Sequence, residues 1–290
     1  MANRLAQVSG HLSNAHGRGL LSGEVAIITG SGQARSFGIG RSAALLFAKE
    51  GAKVVVSDID AKKAADVVNE IKAAGGDAIY VAGDVGADDF HRQSWTQLQY
   101  GKINHILAFT YDKMIHTMPD ETYDVIMKIH VRAPFRLIRA AAPYFRVKSN
   151  TPENRSIINV SSTSGLHGNV GQANYAAAKS AVVGLTKTIA KEWGPFGVRA
   201  NTIAFGLVHT RLTAAKEDGA TIEIDGQKVA LGIPGARQRA AAQNTNAFVD
   251  IPLQRGATAD EAAAGMLFLA SPLASYVSGH TLEVTGGRGI

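Results

Sequence analysis

Short apolar runs of strand length alternate along this chain with longer stretches in which apolar residues recur every three or four positions. Glu24-Val-Ala-Ile-Ile-Thr-Gly30 is the first such run, and Ile39 to Ala48 follows it with helical period. Lys53-Val-Val-Val-Ser-Asp58 reads as the second strand, Ala61 to Ala74 as a helix, and Ala78 to Ala82 as the third strand. A short helix near Phe90 to Gln99 and a strand over Ile103 to Phe109 come next, then one long helix from Thr122 to Arg146. Strand Ser156 to Val160, helix Gln172 to Trp193, strand Val198 to Ala204, helix Ala259 to Ala270 and strand Thr281 to Val284 complete the alternation. Strands alternating with helices predict a parallel sheet covered on both faces. The expected fold is therefore α/β, a single-domain, Rossmann-like, doubly wound parallel sheet of about seven strands. It would occupy residues 23–290 after an N-terminal extension, residues 1–22. Ligands of such sheets bind beyond the carboxyl ends of the strands, where Gly30, Asp58, Asp84, Phe109, Ser162 and Gly206 all fall.

Composition narrows the function by exclusion. With 290 residues, 46% of them hydrophobic, the chain can bury a large core without a second domain. The absence of cysteine excludes disulfides, zinc–thiolate sites and thiol nucleophiles, and the nine histidines are scattered without metal-ligand spacing. No metal and no membrane partner are expected, since no apolar run approaches the eighteen or so residues that span a bilayer. Nor is a nucleic-acid partner expected: the +6 charge is modest and its basic residues are dispersed. Such a surface could still attract anionic substrates such as carboxylates or acyl thioesters. Residues 1–22 carry arginines, serines and no acid, which faintly suggests an organelle presequence. Their glycines make a poor amphipathic helix, so a cytoplasmic protein with an ordinary tail is the expectation.

The candidate chemistry lies at two places. Tyr175 and Lys179 are four positions apart in a helical run and share a face, so the ammonium favours the phenolate and lowers a pKa that is normally about 10. A tyrosine poised in this way can give a proton to a carbonyl oxygen or take one from an alcohol. The second place is the opening strand, glycine loop and helix. Gly30, Gly32, Gly38 and Gly40 let backbone N–H groups approach a pyrophosphate at a helix N-terminus. Asp58, about twenty residues past Gly38, stands where an acid accepts from a ribose 2′-OH and repels a 2′-phosphate. NAD is accordingly favoured, with NADP not excluded.

These residues, with Gly83-Asp84-Val85, Ser162 thirteen positions before Tyr175, Asn201-Thr-Ile-Ala-Phe-Gly206 with Thr210, and Ser278-Gly-His-Thr-Leu-Glu-Val-Thr-Gly-Gly287, resemble the short-chain dehydrogenase/reductase family from about Leu21 onward. The 3-oxoacyl-carrier-protein reductase type is the most similar in flavour, along with the hydroxyacyl dehydrogenase portions of multifunctional enzymes. The resemblance implies an NAD(P)-dependent oxidoreductase that moves hydride between nicotinamide and a secondary alcohol or ketone. It makes Tyr175 the acid/base, Lys179 its partner and a nicotinamide-ribose ligand, and Ser162 a donor to the substrate oxygen, with Ser161 a competitor for that role. It gives the cofactor Gly30, Ser31, Gly32, Gly38, Ile39, Gly40, Asp58, Asp84, Val85, Ala108, Gly206, Val208 and Thr210. A homodimer or homotetramer is also implied.

Four departures from the family pattern stand out. The glycine loop carries extra residues between Gly32 and Gly38, including Arg35, which could contact a phosphate or be solvated. Ile106-Leu-Ala-Phe-Thr110 replaces Asn-Asn-Ala-Gly, His130 stands at the relay asparagine, and Phe205 precedes Gly206 where proline is usual. Histidine at position 130 adds a group that titrates near neutrality. These changes keep open an alternative in which cofactor binding is impaired and the chain serves as a binding or assembly subunit. Residues from about 211 to 252 form a connection long enough to be a lid. Within it, Thr221 to Leu231 alternates about Asp225-Gly226 and predicts a hairpin. By family analogy this lid would cover the substrate, with Gly165 to Asn169 as the opposite wall.

Overall fold

The computed structural model describes residues 19–32, 38–87, 90, 115–148, 153–210, 221–224, 227–230 and 248–289. Strands β1 (Val25–Thr29), β2 (Lys53–Asp58) and β3 (Asp77–Ala82) pair in parallel with β2 in the middle. Strands β4 (Arg155–Ser162) and β5 (Val198–Phe205) form a second parallel set with a late strand, Thr281–Val284. A separate antiparallel hairpin, β6 (Thr221–Ile224) with β7 (Gln227–Ala230), precedes that late strand, which is therefore β8. The hairpin falls where the sequence predicts it; Asp225 and Gly226 lie outside the described residues.

Around the strands lie α1 (Ile39–Lys49), α2 (Ala61–Ala73), α3 (Asp120–Met127), α4 (Ala133–Ala140), α5 (Ala142–Phe145), α6 (Thr163–His167), α7 (Ala173–Trp193) and α8 (Ala259–Ala270). Alternate side chains of a strand point to opposite faces, and here they enter two different cores. Ala26 and Ile28 of β1 join Ile158 and Val160 of β4 in a core that includes α1, α2 and α8. Val25 and Ile27 join Ile157 in the other, with Leu137, Phe145, Ile189 and Trp193 from α4, α5 and α7. Both strand sets thus lie between the same two helical layers, the arrangement of a Rossmann-like α/β fold. The expected strand over Ile103 to Phe109 and most of the helix near Phe90 to Gln99 lie outside the described residues. Of the expected extension, residues 19–22 are described, and Leu21 is fully buried with its N–H on the Glu50 carbonyl at 2.9 Å.

The helix expected to run unbroken from Thr122 to Arg146 is instead divided. Between α3 and α4 the residues Lys128–Arg132 form a π turn, in which the Ala133 N–H donates to the Lys128 carbonyl. Pro134 explains the change: it has no N–H to offer the His130 carbonyl four residues earlier, so the helix widens by one residue there. Pro143 acts similarly just after the break between α4 and α5 at Ala141. A second difference is α6, a single turn following β4 that the sequence does not announce.

At the amino ends of the strands, a buried polar cluster ties the second strand set together. Arg199 donates to the Leu269 and Ala270 carbonyls, at 2.7 and 3.0 Å, and to the Asn154 amide oxygen at 3.0 Å. The Asn154 amide in turn donates to the Glu24 carboxylate at 3.0 Å. A guanidinium at the carboxyl end of α8 satisfies carbonyls that have no partner within the helix and complements its dipole.

Candidate active site at the carboxyl ends of the strands

The glycine loop follows directly from β1. Gly30 takes a left-handed φ of +65°, and the Ser31 N–H then donates to the Ser57 carbonyl of β2 at 3.2 Å. Gly40 packs so tightly that a Cβ there would lie 2.5 Å from the Gly30 carbonyl oxygen, which explains why a side chain is absent. Gly38 caps α1 in extended conformation without a side-chain bond, and no acid occupies the first turn of the helix. Ile39 anchors that helix end in the core. An anion such as a pyrophosphate suits this end, so the residues present fit a dinucleotide. Residues 33–37, with the extra loop residues and Arg35, lie outside the described residues.

Asp58 ends β2 beside this loop. One carboxylate oxygen accepts from the Gly32 N–H at 2.8 Å and the other from the Asp60 N–H at 3.1 Å. Asp84 follows β3 and accepts from the Gly86 N–H at 2.7 Å, with Val85 half-buried beside it. Ala108 and Phe109 lie outside the described residues. On the other strand set, Gly206 donates to the Val284 carbonyl at 3.1 Å. Val208 bridges Ala257, and Thr210 is half-buried just beyond it.

Ser162 ends β4 opposite Phe205 of β5 and caps α6, its hydroxyl accepting from the Ser164 N–H at 3.2 Å. Ser161, the competing serine, is buried, and its hydroxyl donates to the Lys179 carbonyl at 2.8 Å. Only Ser162 of the two keeps a half-exposed hydroxyl. The turn of α6 rides against α7 at Gly165, where a Cβ would stand 2.6 Å from the Lys179 Cβ.

Lys179 is buried, and its ammonium donates to the Val160 carbonyl at 2.8 Å while lying 5.6 Å from the centre of the Tyr175 ring. Burial lowers its pKa from 10.5 to about 7. His130, projecting from the π turn, sets its ring edge-on to Tyr175 at 5.9 Å between centroids. Among the described residues neither ring nitrogen of His130 has a hydrogen-bond partner. Burial, and next the Lys179 charge, push its pKa well below 6.5, so this imidazole is neutral at physiological pH. Tyr175, Lys179 and His130 thus converge as the sequence suggests.

Two neighbours went unnoticed in the sequence. Gln172 accepts from the Ser164 hydroxyl at 2.6 Å and from the Asn169 amide at 3.0 Å, which ties α6 to the start of α7. Asn174 is fully buried beside Tyr175. Only the position of Gln172 and Asn174 next to a suspected catalytic tyrosine could have marked them. Among the described residues no group of histidine, aspartate and glutamate could hold a metal ion, and no helix is long and apolar enough to cross a membrane.

A glycine loop against an uncapped helix, with a serine, a tyrosine and a buried lysine near the strand ends, fits the dinucleotide-linked oxidoreductase class. The profile of the short chain dehydrogenase family matches residues 24–221, and the chain belongs to that family. It is 33% identical to the 3-oxoacyl-[acyl-carrier-protein] reductase FabG of Thermotoga maritima, over 92% of this chain and 98% of that one. A 3-oxoacyl-[acyl-carrier-protein] reductase of Synechocystis is 34% identical, over 92% of this chain and 97% of its own. A hydroxyacyl-CoA dehydrogenase of Mycobacterium tuberculosis is 41% identical over 63% of this chain and 61% of its own.

Proposed function

We propose that the protein is an NAD-dependent oxidoreductase acting on a secondary alcohol or ketone of the 3-oxoacyl or polyketide-like class, with Tyr175 as acid/base. The observation that carries this reading is the buried Lys179 ammonium 5.6 Å from the Tyr175 ring. In its charged form Lys179 stabilises a phenolate, so Tyr175 gives its proton to a developing alkoxide, or takes one from an alcohol, at modest cost. Ser162 donates to the substrate oxygen from the end of β4 and keeps it beside the Tyr175 hydroxyl. His130 closes the inner side of the site with a neutral ring.

Nicotinamide, when bound, supplies or accepts the hydride. Gly30, Ser31, Gly32, Gly38, Ile39 and Gly40 would hold its pyrophosphate, Asp58 its adenosine ribose, Asp84, Val85 and Ala108 the adenine side, and Gly206, Val208 and Thr210 the carboxamide. The acid at Asp58 favours NAD over NADP by repelling a 2′-phosphate. The two strand sets would belong to one parallel sheet of about seven strands. Residues 211–252 would form the substrate lid, and the protein would be a cytoplasmic homodimer or homotetramer.

The test is a fluorescence titration with NADH and NADPH, followed by turnover of Tyr175→Phe. Micromolar NADH binding, weaker NADPH binding and loss of turnover in a variant that still binds NADH are expected. Binding of neither nucleotide would instead favour a binding or assembly subunit, and a Phe variant as fast as wild type would remove Tyr175 from its role.

A further inference from the structure

We propose that Asn174 is a positioning residue for Tyr175, fixing the first turn of α7 against α3; the inference rests on the reading of Tyr175 as the acid/base. Helix α7 starts at Ala173, so the Tyr175 N–H belongs to the first turn, where acceptors come from outside the regular helix ladder. The residue before a helix usually supplies the missing acceptor. Here that residue is Gln172, whose side chain does not act as the cap. Its amide oxygen is engaged by Ser164 and Asn169 instead.

Asn174 supplies an acceptor from inside the helix. Its side-chain oxygen accepts from the Tyr175 N–H at 2.7 Å, and its amide reaches the Thr122 carbonyl of α3 in a long bond of 3.5 Å. A primary amide is poorly suited to a helix interior and is costly to bury unless its polar atoms are bonded. Its complete burial at this position is accounted for by these two bonds. The same helical run presents His130 to the Tyr175 ring. Backbone and ring of the tyrosine are therefore both referred to residues 120–132, the backbone through Asn174 and the ring through His130. Gln172 meanwhile ties the Ser162 turn to the start of α7. Any slip of the first turn would move the Tyr175 hydroxyl relative to Ser162, and a misplacement of about 1 Å can cost on the order of 100-fold in rate.

The test compares Asn174→Ala and Asn174→Asp with wild type. Turnover is measured per bound NADH, so that misfolded molecules do not count, together with KM, NADH affinity and the pH profile. For the Ala variant, kcat per bound NADH is expected to fall about 10- to 100-fold, with KM and NADH affinity within about threefold. The Asp variant keeps the acceptor and should recover most of kcat, with its alkaline limb displaced to higher pH by the added carboxylate. An unchanged kcat per bound NADH in the Ala variant, or an Asp variant no better than Ala at any pH, would overturn the proposal.

One readout is independent of turnover. Phenolate absorbance of the apoprotein, taken as the difference between each protein and its own Tyr175→Phe counterpart, should titrate at a displaced pH in Asn174→Ala. An unmoved titration overturns the positioning role whatever the rates show. A Tyr175→Phe variant with full turnover would instead sink the acid/base reading, and the phenolate titration would still decide whether Asn174 positions the ring.

Discussion

Replacing Lys179 by Met removes the ammonium and keeps much of the volume of the stem, so it isolates what burial of this charge costs. The lysine is fully buried and its pKa falls from 10.5 to about 7. At about 1.4 kcal/mol per tenfold change in proton affinity, that drop corresponds to at most about 5 kcal/mol of penalty on the folded state. The sign follows from linkage: the unfolded chain still binds the proton between pH 7 and 10.5 while the folded chain has released it, so stability rises with pH in that window. Below pH 7 both states are protonated and the penalty is fully present. Wild type should therefore gain about 2 kcal/mol between pH 7 and 9 from this one group. Against this, the Met variant loses the bond to the Val160 carbonyl, worth about 1 kcal/mol. The assay is urea unfolding of the two apoproteins at pH 6, 7, 8 and 9. Lys179→Met should be the more stable protein at pH 6 and 7, with the gap narrowing by about 2 kcal/mol by pH 9, and it should be inactive throughout. Parallel stability curves for the two proteins across this range would refute the claim that the ammonium is buried at a cost.

The acid side belongs to His130. Its pKa is depressed in the folded state, so the unfolded chain takes up the proton first, and stability is lost as pH falls below 6.5. His130→Phe should remove that loss below pH 6.5, read as a flatter dependence of the unfolding midpoint on pH; an unaltered dependence would show that the imidazole is protonated in place. At the far end of the strands, Arg199→Met removes the donor to the Leu269 carbonyl and leaves the Ala270 carbonyl with Asn154 alone. It should cost about 3 kcal/mol in urea unfolding, with NADH affinity per folded molecule unchanged.

The fold was legible because its signals are local. Apolar runs of strand length located β1, β2, β5 and β8 to within a residue or two, and helical period did the same for α1, α2, α7 and α8. The long helix before β4 misled because period survives a break: apolar spacing continues through Pro134, and only the missing N–H records the π turn. That turn orients His130, whose sequence position alone left open whether it packs or titrates. Lys179 was legible as a neighbour of Tyr175 from the four-residue spacing, whereas its burial depends on β4 and on Gly165, brought against it by the fold. Ser162 was chosen over Ser161 only by its thirteen-residue spacing to Tyr175, whereas the alternation of β4 that turns the Ser161 hydroxyl into the core is a property of the fold. Gln172 and Asn174 were invisible for the same reason, since each acts through bonds that exist only once α3, α6 and α7 are packed.

The partnership of β5 with β8 bears on how the molecule could be divided. Asn201 bonds across 79 positions of sequence to the His280 N–H, and to the Val277 carbonyl, while Arg199 grips the end of α8. A chain cut once between residues 210 and 248 would leave two pieces whose mutual surface includes a parallel strand pair and these buried bonds. Such pieces, produced separately and mixed, should find each other and restore the Tyr175 site, which makes this protein a natural starting point for a split reporter read out by its own turnover.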